Sequence, residues 1–205
     1  MAYATGSDTA VPAQSPSELK ILVAGGLGAG KSTLVAALSE IEPLSTEELL
    51  TVAGTGIDDL AGVDDKRTTT VALDFGRITF HDPLPMLLYL FGVPGQKRFW
   101  FLWPDLGYGA LGAVVLVDTR RLQDSFTAVS WYEQQRLPFV VAVNEFDGSA
   151  HRYTPDEVRQ ALGLPAHVPV VTCDARDHNS AVQVLIILVR HSLDVRRAMT
   201  SGALV

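Results

Sequence analysis

The sequence is short of cysteine, of positive charge and of long apolar runs, and each shortage excludes a class of protein. Its 205 residues include one cysteine, Cys173, which excludes an internal disulfide framework and fits a reducing compartment. The formal net charge is −7, so the surface as a whole does not resemble a nucleic-acid footprint. The longest uncharged apolar stretches, residues 83–95 and 106–117, are too short for a bilayer span and are broken by Gly or Pro. These features predict a cytoplasmic protein that is not inserted in a membrane.

The remaining composition is that of a folded domain. Hydrophobic residues make up 47% of the chain and charged residues 19%, which is typical of globular proteins. Residues 1–18 are rich in Ala, Ser, Thr and Pro without apolar periodicity, so they are predicted to form a flexible tail. Residues 19–198 are predicted to form one domain, and residues 199–205 a short C-terminal tail.

Strands and helices alternate through most of this predicted domain. Continuous Val and Ala runs at 113–117 and 140–143 are typical of parallel strands covered on both faces. Strands at about 70–80 and 85–91, joined by a short connection, predict an antiparallel hairpin, and residues 42–67 are predicted to be a long loop. The predicted helices cover residues 31–40, 122–135, 155–162 and 181–197. This order predicts an α/β three-layer sandwich with a mostly parallel six-stranded sheet, one antiparallel hairpin and helices on both faces.

The strongest motif is a glycine-rich loop between the first strand and the first helix. Residues 25–32 read Gly-Gly-Leu-Gly-Ala-Gly-Lys-Ser, which matches G-x-x-x-x-G-K-[ST] in the context that this motif requires. The backbone N–H groups of such a loop surround phosphate oxygens, while Lys31 reaches the β- and γ-phosphates and the Ser32 hydroxyl ligates Mg²⁺. The sequence therefore predicts a P-loop NTPase fold. The predicted phosphate-binding residues are Gly25, Gly28, Ala29, Gly30, Lys31, Ser32 and Thr33.

A second motif follows the run at 140–143. Residues 144–147, Asn-Glu-Phe-Asp, form an N-x-x-D pattern at the carboxyl end of a predicted parallel strand, where ligands bind in open α/β sheets. A carboxylate there can accept hydrogen bonds from the N1–H and exocyclic amine of guanine, a pair of donors that adenine does not offer. Asn144 and Asp147 are therefore predicted to recognise guanine. The alternative is a turn asparagine beside a solvated aspartate.

The end of the last predicted strand extends the base site. Residues 172–176 read Thr-Cys-Asp-Ala-Arg, and a small residue there could present its backbone N–H to the guanine carbonyl. The nucleotide-binding prediction therefore includes Asp174, Ala175 and Arg176, with a solvated loop as the alternative. Cys173 is interpreted as a buried thiol because no histidine or asparagine pattern accompanies it as a catalytic partner.

A fourth motif, Phe-Gly-Val-Pro-Gly-Gln, occupies residues 91–96 after a strand. In a P-loop protein, Gly95 would donate its N–H to the γ-phosphate and Gln96 would orient the attacking water. The alternative is a Pro-Gly turn that ends the strand. At the end of the long loop, threonine hydroxyls are available to close over Mg²⁺, and Thr69 or Thr70 is the predicted ligand.

In order and spacing these motifs resemble those of small Ras-like GTPases over about residues 19–198. The segments TTTVALDFGRI, LYLFGVPGQKRFWFLW, GALGAVVLVDTRR and VAVNEFDG look like the bacterial MglA-like branch, and most like the GTPases of actinomycete conservon operons. The resemblance implies a switch that binds GTP or GDP with Mg²⁺ and hydrolyses GTP slowly. It also implies a roadblock-fold partner, other conservon-type operon products, and recruitment by such partners to the inner membrane surface.

The chain departs from the Ras-like pattern at the metal and base positions. Gly92 stands where Ras-like proteins carry an aspartate that holds Mg²⁺ through water, and Asp74 on the neighbouring strand is the predicted substitute. Glu145 stands where a lysine usually stacks over the base. Without that lysine, the resemblance supports the base contacts of Asn144 and Asp147 more strongly than it supports stacking.

Catalysis is predicted to rest on positioning and electrostatics. Lys31 would stabilise charge on the phosphates and Gln96 would orient water. The resemblance to MglA-like proteins suggests Arg67 as an arginine finger acting in cis, with Lys66 and Arg98 as lesser candidates. Because the metal-holding aspartate is absent from the usual position, a nucleotide-bound but catalytically inactive interaction module is the alternative hypothesis. A small-molecule kinase is disfavoured because the chain has no obvious Arg-rich lid.

Aromatic residues crowd the segment directly after Gln96. Phe99, Trp100, Phe101 and Trp103 are too many for the inward face of one short helix. The segment around Arg98–Trp103 is therefore predicted to be a partner-binding surface that reorganises with nucleotide state. The alternative is that these side chains fill the core beneath a mobile loop.

Overall fold

The computed structural model describes residues 16–51, 68–82, 84–148 and 152–201. The strands are β1 (Ser17–Gly25), β2 (Leu44–Thr51), β3 (Thr68–Phe80), β4 (Met86–Gly92), β5 (Gly112–Val117), β6 (Phe139–Asn144) and β7 (Val170–Cys173). The α-helices are α1 (Lys31–Leu38), α2 (Trp103–Gly107), α3 (Phe126–Gln134), α4 (Pro155–Leu162) and α5 (His178–Thr200). Two 3₁₀ helices occupy Lys97–Leu102 and Thr119–Ser125.

The strands form one seven-stranded sheet in the order β2-β3-β4-β1-β5-β6-β7. Strands β4, β1, β5, β6 and β7 are parallel to one another, whereas β3 is antiparallel to both β2 and β4. The predicted α/β P-loop sandwich and its antiparallel hairpin are therefore confirmed.

The strand number differs from the predicted six. Leu44–Thr51 lies inside the segment predicted to be a loop, yet it pairs with β3 from Leu44 opposite Phe75 to Thr51 opposite Thr68. Its mixed polarity hides the strand because an edge strand takes much of its stability from the neighbouring backbone and not from an apolar pattern of its own.

Helices cover both faces of the sheet and create two buried clusters. Alternate residues of β1 point to opposite sides, so Ile21 packs with α1 and α5 while Leu22 packs with α3 and α4. Every residue of β5 and β6 is buried. The prediction of parallel strands covered on both faces is confirmed, and this leaves the carboxyl edge of the sheet to carry the polar loops.

Local capping explains where two helices begin. Helix α4 starts at Pro155 as predicted, because Thr154 and Glu157 form a reciprocal capping box. Helix α5 begins at His178, three residues before the predicted start at Ala181, because the Asp177 side chain accepts the Ser180 N–H at 2.7 Å.

The predicted helix at 122–135 is split into the second 3₁₀ helix and α3. The 3₁₀ helix ends at Ser125 and α3 begins at Phe126. A kink lies one residue before the predicted start, at Arg121, whose φ of −141° and ψ of 52° are not helical. Asp118 stabilises the preceding turn by accepting the Arg120 N–H at 3.0 Å. The resulting kink is important for the site because it changes the direction of the Arg121 side chain.

The aromatic segment after Gln96 is mostly core. Phe99 and Trp103 are buried, and the Trp103 ring packs at 5.7 Å from Trp131 between ring centroids. Phe101 is 60% exposed. The prediction of a partner surface is therefore wrong for Phe99 and Trp103, which are four residues apart and so share the inward side of the helical segment.

Across the part of the chain that the structure describes, no helix has both the length and the apolar character needed to cross a bilayer.

Candidate nucleotide-binding site

The glycine-rich loop lies between β1 and α1, at the carboxyl edge of the parallel strands. Gly30 closes the loop as the residue before α1, with φ of 103°. A Cβ added to Gly30 would lie 2.5 Å from Asn144 Nδ2, well below the distance at which such atoms meet. Glycine is therefore required here for two reasons, the positive φ and the close approach of β6.

Lys31 is held inside the loop by the loop's own carbonyls. Its Nζ donates to Gly25 O at 3.1 Å and to Gly26 O at 2.8 Å. Burial lowers the pKa of Lys31 to about 8, and the charge of Asp74 partly opposes this shift. A bound phosphate group would place negative charge beside this buried ammonium group and so favour its charged form.

Ser32 and Asp74 meet directly. The Ser32 hydroxyl donates to Asp74 Oδ2 at 2.6 Å, which joins the start of α1 to β3. Asp74 stands opposite Gly92 in the β3–β4 ladder, and a Cβ on Gly92 would lie 2.9 Å from the Asp74 carboxylate. The absence of a side chain at Gly92 therefore leaves room for the aspartate of the neighbouring strand.

The loop after β4 lies against the glycine-rich loop. A Cβ on Gly95 would be 2.4 Å from Gly25 O and 3.3 Å from Leu27 N, so the two backbones are in contact. Behind the loop, buried Trp103 donates its indole N–H to Pro94 O at 3.1 Å. The aromatic core thus supports the segment that carries Gly95.

Gln96 is paired with an arginine of the same segment. Arg98 Nε donates to Gln96 Oε1 at 2.8 Å, and the Arg98 guanidinium lies 4.7 Å from the centroid of the Phe99 ring. Arg98, a lesser candidate for the arginine finger, therefore orients the predicted water-positioning side chain here.

Asn144 connects three parts of the site. It is buried at the end of β6, donates from Nδ2 to Ala29 O at 2.9 Å, and accepts the Ala175 N–H at Oδ1 at 3.0 Å. The Ala175 N–H, which the sequence predicts to face the guanine carbonyl, thus has Asn144 as its partner in this structure. This arrangement ties the glycine-rich loop to the loops that follow β6 and β7.

Asp147 lies at the surface, opposite Arg176. The Arg176 guanidinium donates to both Asp147 carboxylate oxygens, and its Nη2 also donates to Asp174 Oδ2 at 2.8 Å. These hydrogen bonds and the arginine charge lower the pKa of Asp147 and lower that of Asp174 to about 2. Arg176 presents to Asp147 the paired N–H donors that a guanine base would present.

Glu145 is the first residue after β6. Its carboxylate accepts from Arg152 Nη1 at 3.2 Å, and its backbone N–H donates to Cys173 O at 2.7 Å. A cleft beside this ion pair is lined in part by Asn144, Phe146 and Tyr153. The position where Ras-like proteins carry a stacking lysine therefore holds an anion that is engaged by an arginine.

The remaining predicted site residues either lie outside the described part of the chain or are described only by their location. Arg67 and Lys66 lie outside the described residues. Thr69 and Thr70 are in β3, paired with Leu50 and Leu49, and their side chains are not described. Thr33 is exposed in the first turn of α1, and Gly28 has φ of 75° in the loop. Among the described residues no group of three or more His, Cys, Asp or Glu side chains could hold a metal ion by itself.

The segment directly after β5 belongs to the site, although no sequence motif marks it. Asp118 is buried and accepts from Arg120 Nε and Nη2, both at 2.8 Å. The Arg120 guanidinium lies 3.8 Å from the centroid of the Phe146 ring. Arg121 donates from Nη2 to Leu27 O in the glycine-rich loop. The available signal was a run of charged residues at the carboxyl end of a buried parallel strand.

The fold and this loop geometry define a P-loop nucleotide-binding protein. A family model described as conserved hypothetical ATP binding protein matches residues 23–195, so the chain belongs to that family. An uncharacterized protein of Methanocaldococcus jannaschii is 28% identical over 132 residues, which are 63% of this chain and 71% of that protein.

Solved structures show where else this fold occurs. The cytosolic domain of the T. maritima FeoB iron transporter in its apo form is similar with a TM-score of 0.58 and 16% identity, over 85% of this chain and 64% of that one. Its GDP form I is similar with a TM-score of 0.60 and 16% identity, over 87% of this chain and 65% of that one. The G domain alone is similar with a TM-score of 0.53 and 17% identity, over 87% of this chain and 99% of that one. The chain thus spans about two thirds of the FeoB cytosolic domain and shares the fold of its G domain. None of these matches is described as MglA-like or conservon-encoded, so that resemblance stays a prediction.

Proposed function

We propose that this protein binds GTP and GDP and hydrolyses GTP slowly as a molecular switch. The observation that carries the proposal is the hydrogen bond between Asn144, three residues before Asp147, and the phosphate-binding loop. Asn144 bonds to Ala29 of that loop, so a nucleotide whose phosphates lie in the loop would present its base to Asp147. A carboxylate at that position favours guanine over adenine because guanine offers paired N–H donors.

The residues around Ser32 fit a magnesium ion. The Ser32 hydroxyl and the Asp74 carboxylate, 2.6 Å apart, are oxygen donors of the hard type that Mg²⁺ prefers. Bound there, Mg²⁺ would neutralise charge that develops on the phosphates. Asp74 would thus hold Mg²⁺ in place of the aspartate that Ras-like proteins carry at the position of Gly92.

Hydrolysis would depend on how the chain places charges and water. Lys31 would exchange its carbonyl partners for phosphate oxygens, and the Gly95 N–H would bind the γ-phosphate. Gln96 would orient the attacking water once its amide is released from Arg98. Without a partner protein, turnover well below 1 s⁻¹ is expected, roughly at the unassisted rates of related switches.

A partner surface next to the nucleotide site belongs to the same proposal. Within Arg98–Trp103 the exposed members are Arg98 and Phe101, and they lie two and five residues after Gln96. We propose that this narrower surface contacts the roadblock-fold partner that the resemblance implies, because a change at Gln96 would move it.

The first experiment is to denature the purified protein and identify the released nucleotide by chromatography. GDP or GTP supports the proposal, whereas ADP or ATP contradicts the guanine assignment. Asp147→Asn then tests the contact itself, because an amide there should shift preference from guanine toward xanthine nucleotides. Asp194→Asn on α5 is the matched control and should leave the preference unchanged. Unaltered GTP affinity in Asp147→Asn would show that Asp147 does not read the base.

The inactive interaction module is separated from a GTPase by single-turnover hydrolysis. Protein loaded with radiolabelled GTP should form GDP over minutes to hours, in keeping with the slow class of switch. Persistence of the triphosphate throughout would favour the inactive module.

A further inference from the structure

Arg121, at the kink just before the predicted helix, contacts the phosphate-binding loop. Its Nη2 donates to Leu27 O and lies 3.1 Å from the Cβ position of Gly28. The 3₁₀ helix follows the loop closely, because a Cβ on Gly26 would be 2.8 Å from Asp124 Cβ. The contact between Arg121 and Leu27 is thus part of a packed junction between the 3₁₀ helix and the phosphate-binding loop.

The contact lies at the γ-phosphate end of the loop. Leu27 borders Gly95, since its N–H nitrogen is 3.3 Å from the Gly95 Cβ position. Gly95 is the residue proposed to bind the γ-phosphate, so Leu27 has the predicted γ-phosphate contact on one side and Arg121 on the other. A guanidinium group at Leu27 O would be near the oxygens of that phosphate.

The two consecutive arginines have different partners. Arg120 pairs with both oxygens of Asp118 and lies over Phe146 in the base-recognition loop. Arg121 is 3.9 Å from the nearest oxygens of Asp118 and of Asp124, too far for good hydrogen bonds. An arginine has five N–H donors, and the bond to Leu27 O uses one of them.

The Arg121 side chain is 46% exposed, so it can move by the short distance that contact with a bound nucleotide requires. The nearby carboxylates keep a cation favourable at this position, while their distance leaves it available to an anion. An arginine that is charged at all working pH values is well suited to this role.

We propose that Arg121 is a catalytic residue that acts in cis on the γ-phosphate, and this inference rests on the proposed GTPase function. Water forms a bond to the γ-phosphorus while the bond from that phosphorus to the β–γ bridging oxygen breaks. The water proton passes to the released phosphate or to solvent. Arg121 gains and loses no proton, and its guanidinium neutralises the charge that develops on the γ-phosphate and the bridging oxygen.

The test compares Arg121→Ala and Arg121→Lys with Arg67→Ala and with the control Arg197→Ala, whose guanidinium is on the last turn of α5. Single-turnover hydrolysis of preloaded GTP and the affinity for GDP are measured for each variant. Arg121→Ala should hydrolyse about 20-fold more slowly, the difference between switches with and without a cis arginine, with little change in GDP affinity. Arg121→Lys should recover part of the rate, and Arg197→Ala should match the unsubstituted protein.

A second measurement separates catalysis from support of the loop. The complex of GDP with aluminium fluoride imitates the transition state, so the unsubstituted protein should form it and Arg121→Ala should not. If Arg121→Ala does not fold, Arg121→Gln serves instead, because it keeps a donor for Leu27 O without the charge.

Three results would overturn the inference. The first is GTP hydrolysis by Arg121→Ala at the rate of the unsubstituted protein, regardless of the rate of Arg67→Ala. A parallel loss of rate and GDP affinity, with the aluminium fluoride complex retained, assigns Arg121 to loop support alone. If the unsubstituted protein binds GTP but does not hydrolyse it, or does not bind guanine nucleotides, the proposed function fails first and this inference fails with it.

Discussion

The two ends of the nucleotide site are constructed differently. At the phosphate end, backbone groups and close approaches dominate: Gly30 leaves no space beside Asn144, and Lys31 donates to two carbonyls of the loop. At the base end, side chains that are exposed to solvent dominate, and Asp147 is 84% exposed where it meets Arg176. One end is closely packed and partly buried, whereas the other consists of surface charges.

This difference predicts how each end responds to change. A backbone cradle in contact with the core tolerates no added atom, because its neighbours cannot relax. Surface ion pairs are screened by water and contribute little to folding. Mutations at the phosphate end should therefore damage both folding and binding, while mutations at the base end should change selectivity and titration and leave folding intact.

The largest effect is expected at the junction of the two ends. Gly30→Ala adds a Cβ 2.5 Å from Asn144 Nδ2 at a residue with φ of 103°, and backbone strain and overpacking together should lower the free energy of unfolding by about 2–5 kcal/mol. Nucleotide binding should be lost in isothermal titration. Gly109→Ala is the matched control: φ is 71°, nothing lies within 4 Å of the added Cβ, and the cost should be about 1–2 kcal/mol. Equal losses in the two variants would show that the contact with Asn144 does not matter.

A smaller effect is expected from the titration of Lys31. Its pKa of about 8 in the free protein means that the charged form needed by phosphate is depleted as pH rises. Nucleotide affinity should fall about tenfold between pH 7 and pH 9. Arg in place of Lys31 stays charged over this range. Any pH dependence of the affinity that persists in Lys31→Arg therefore comes from titration of the nucleotide. A pH-independent affinity in the unsubstituted protein would contradict the prediction.

The stability of the free protein should change with pH in the opposite sense. The folded-state pKa of Lys31 is below its ordinary value of 10.5, so the unfolded chain binds more protons between about pH 8 and pH 10.5. The contribution of Lys31 to the free energy of unfolding therefore rises with pH in that window. Denaturant unfolding without nucleotide measures this slope, and its sign should reverse relative to the binding curve.

The smallest effect is expected at the base end. Arg176→Ala removes the hydrogen bonds and the charge that lower the pKa of Asp147, so that pKa should rise toward the ordinary aspartate value. The thermal unfolding midpoint should hardly change, because both groups are exposed. Carboxyl NMR titration checks the pKa, and Arg190→Ala on α5 is the control. An unchanged Asp147 pKa would mean that the pair does not persist in solution.

Some of the fold was readable because its signals are local. The glycine-rich loop, the Thr154 cap of α4 and the buried runs of β5 and β6 each follow from the residue types of a short segment. Strand β2 was not readable, because its pairing with β3 joins segments that are distant along the chain. The kink at Arg121 was not readable either, because it lies outside the predicted helix and depends on the turn that Asp118 stabilises.

For the site, the sequence by itself determined the loop that would cradle phosphates, the strand end that carries Asn144 and Asp147, and the α/β layering. These depend on local backbone preference and on apolar periodicity, which a single sequence contains. The tertiary structure alone decided that Asp74 faces Ser32 across the space left by Gly92, that Asn144 connects two loops, and that Arg121 lies at Leu27. Such contacts arise from packing between elements far apart in the chain, where chain length and residue type do not specify which side chains meet.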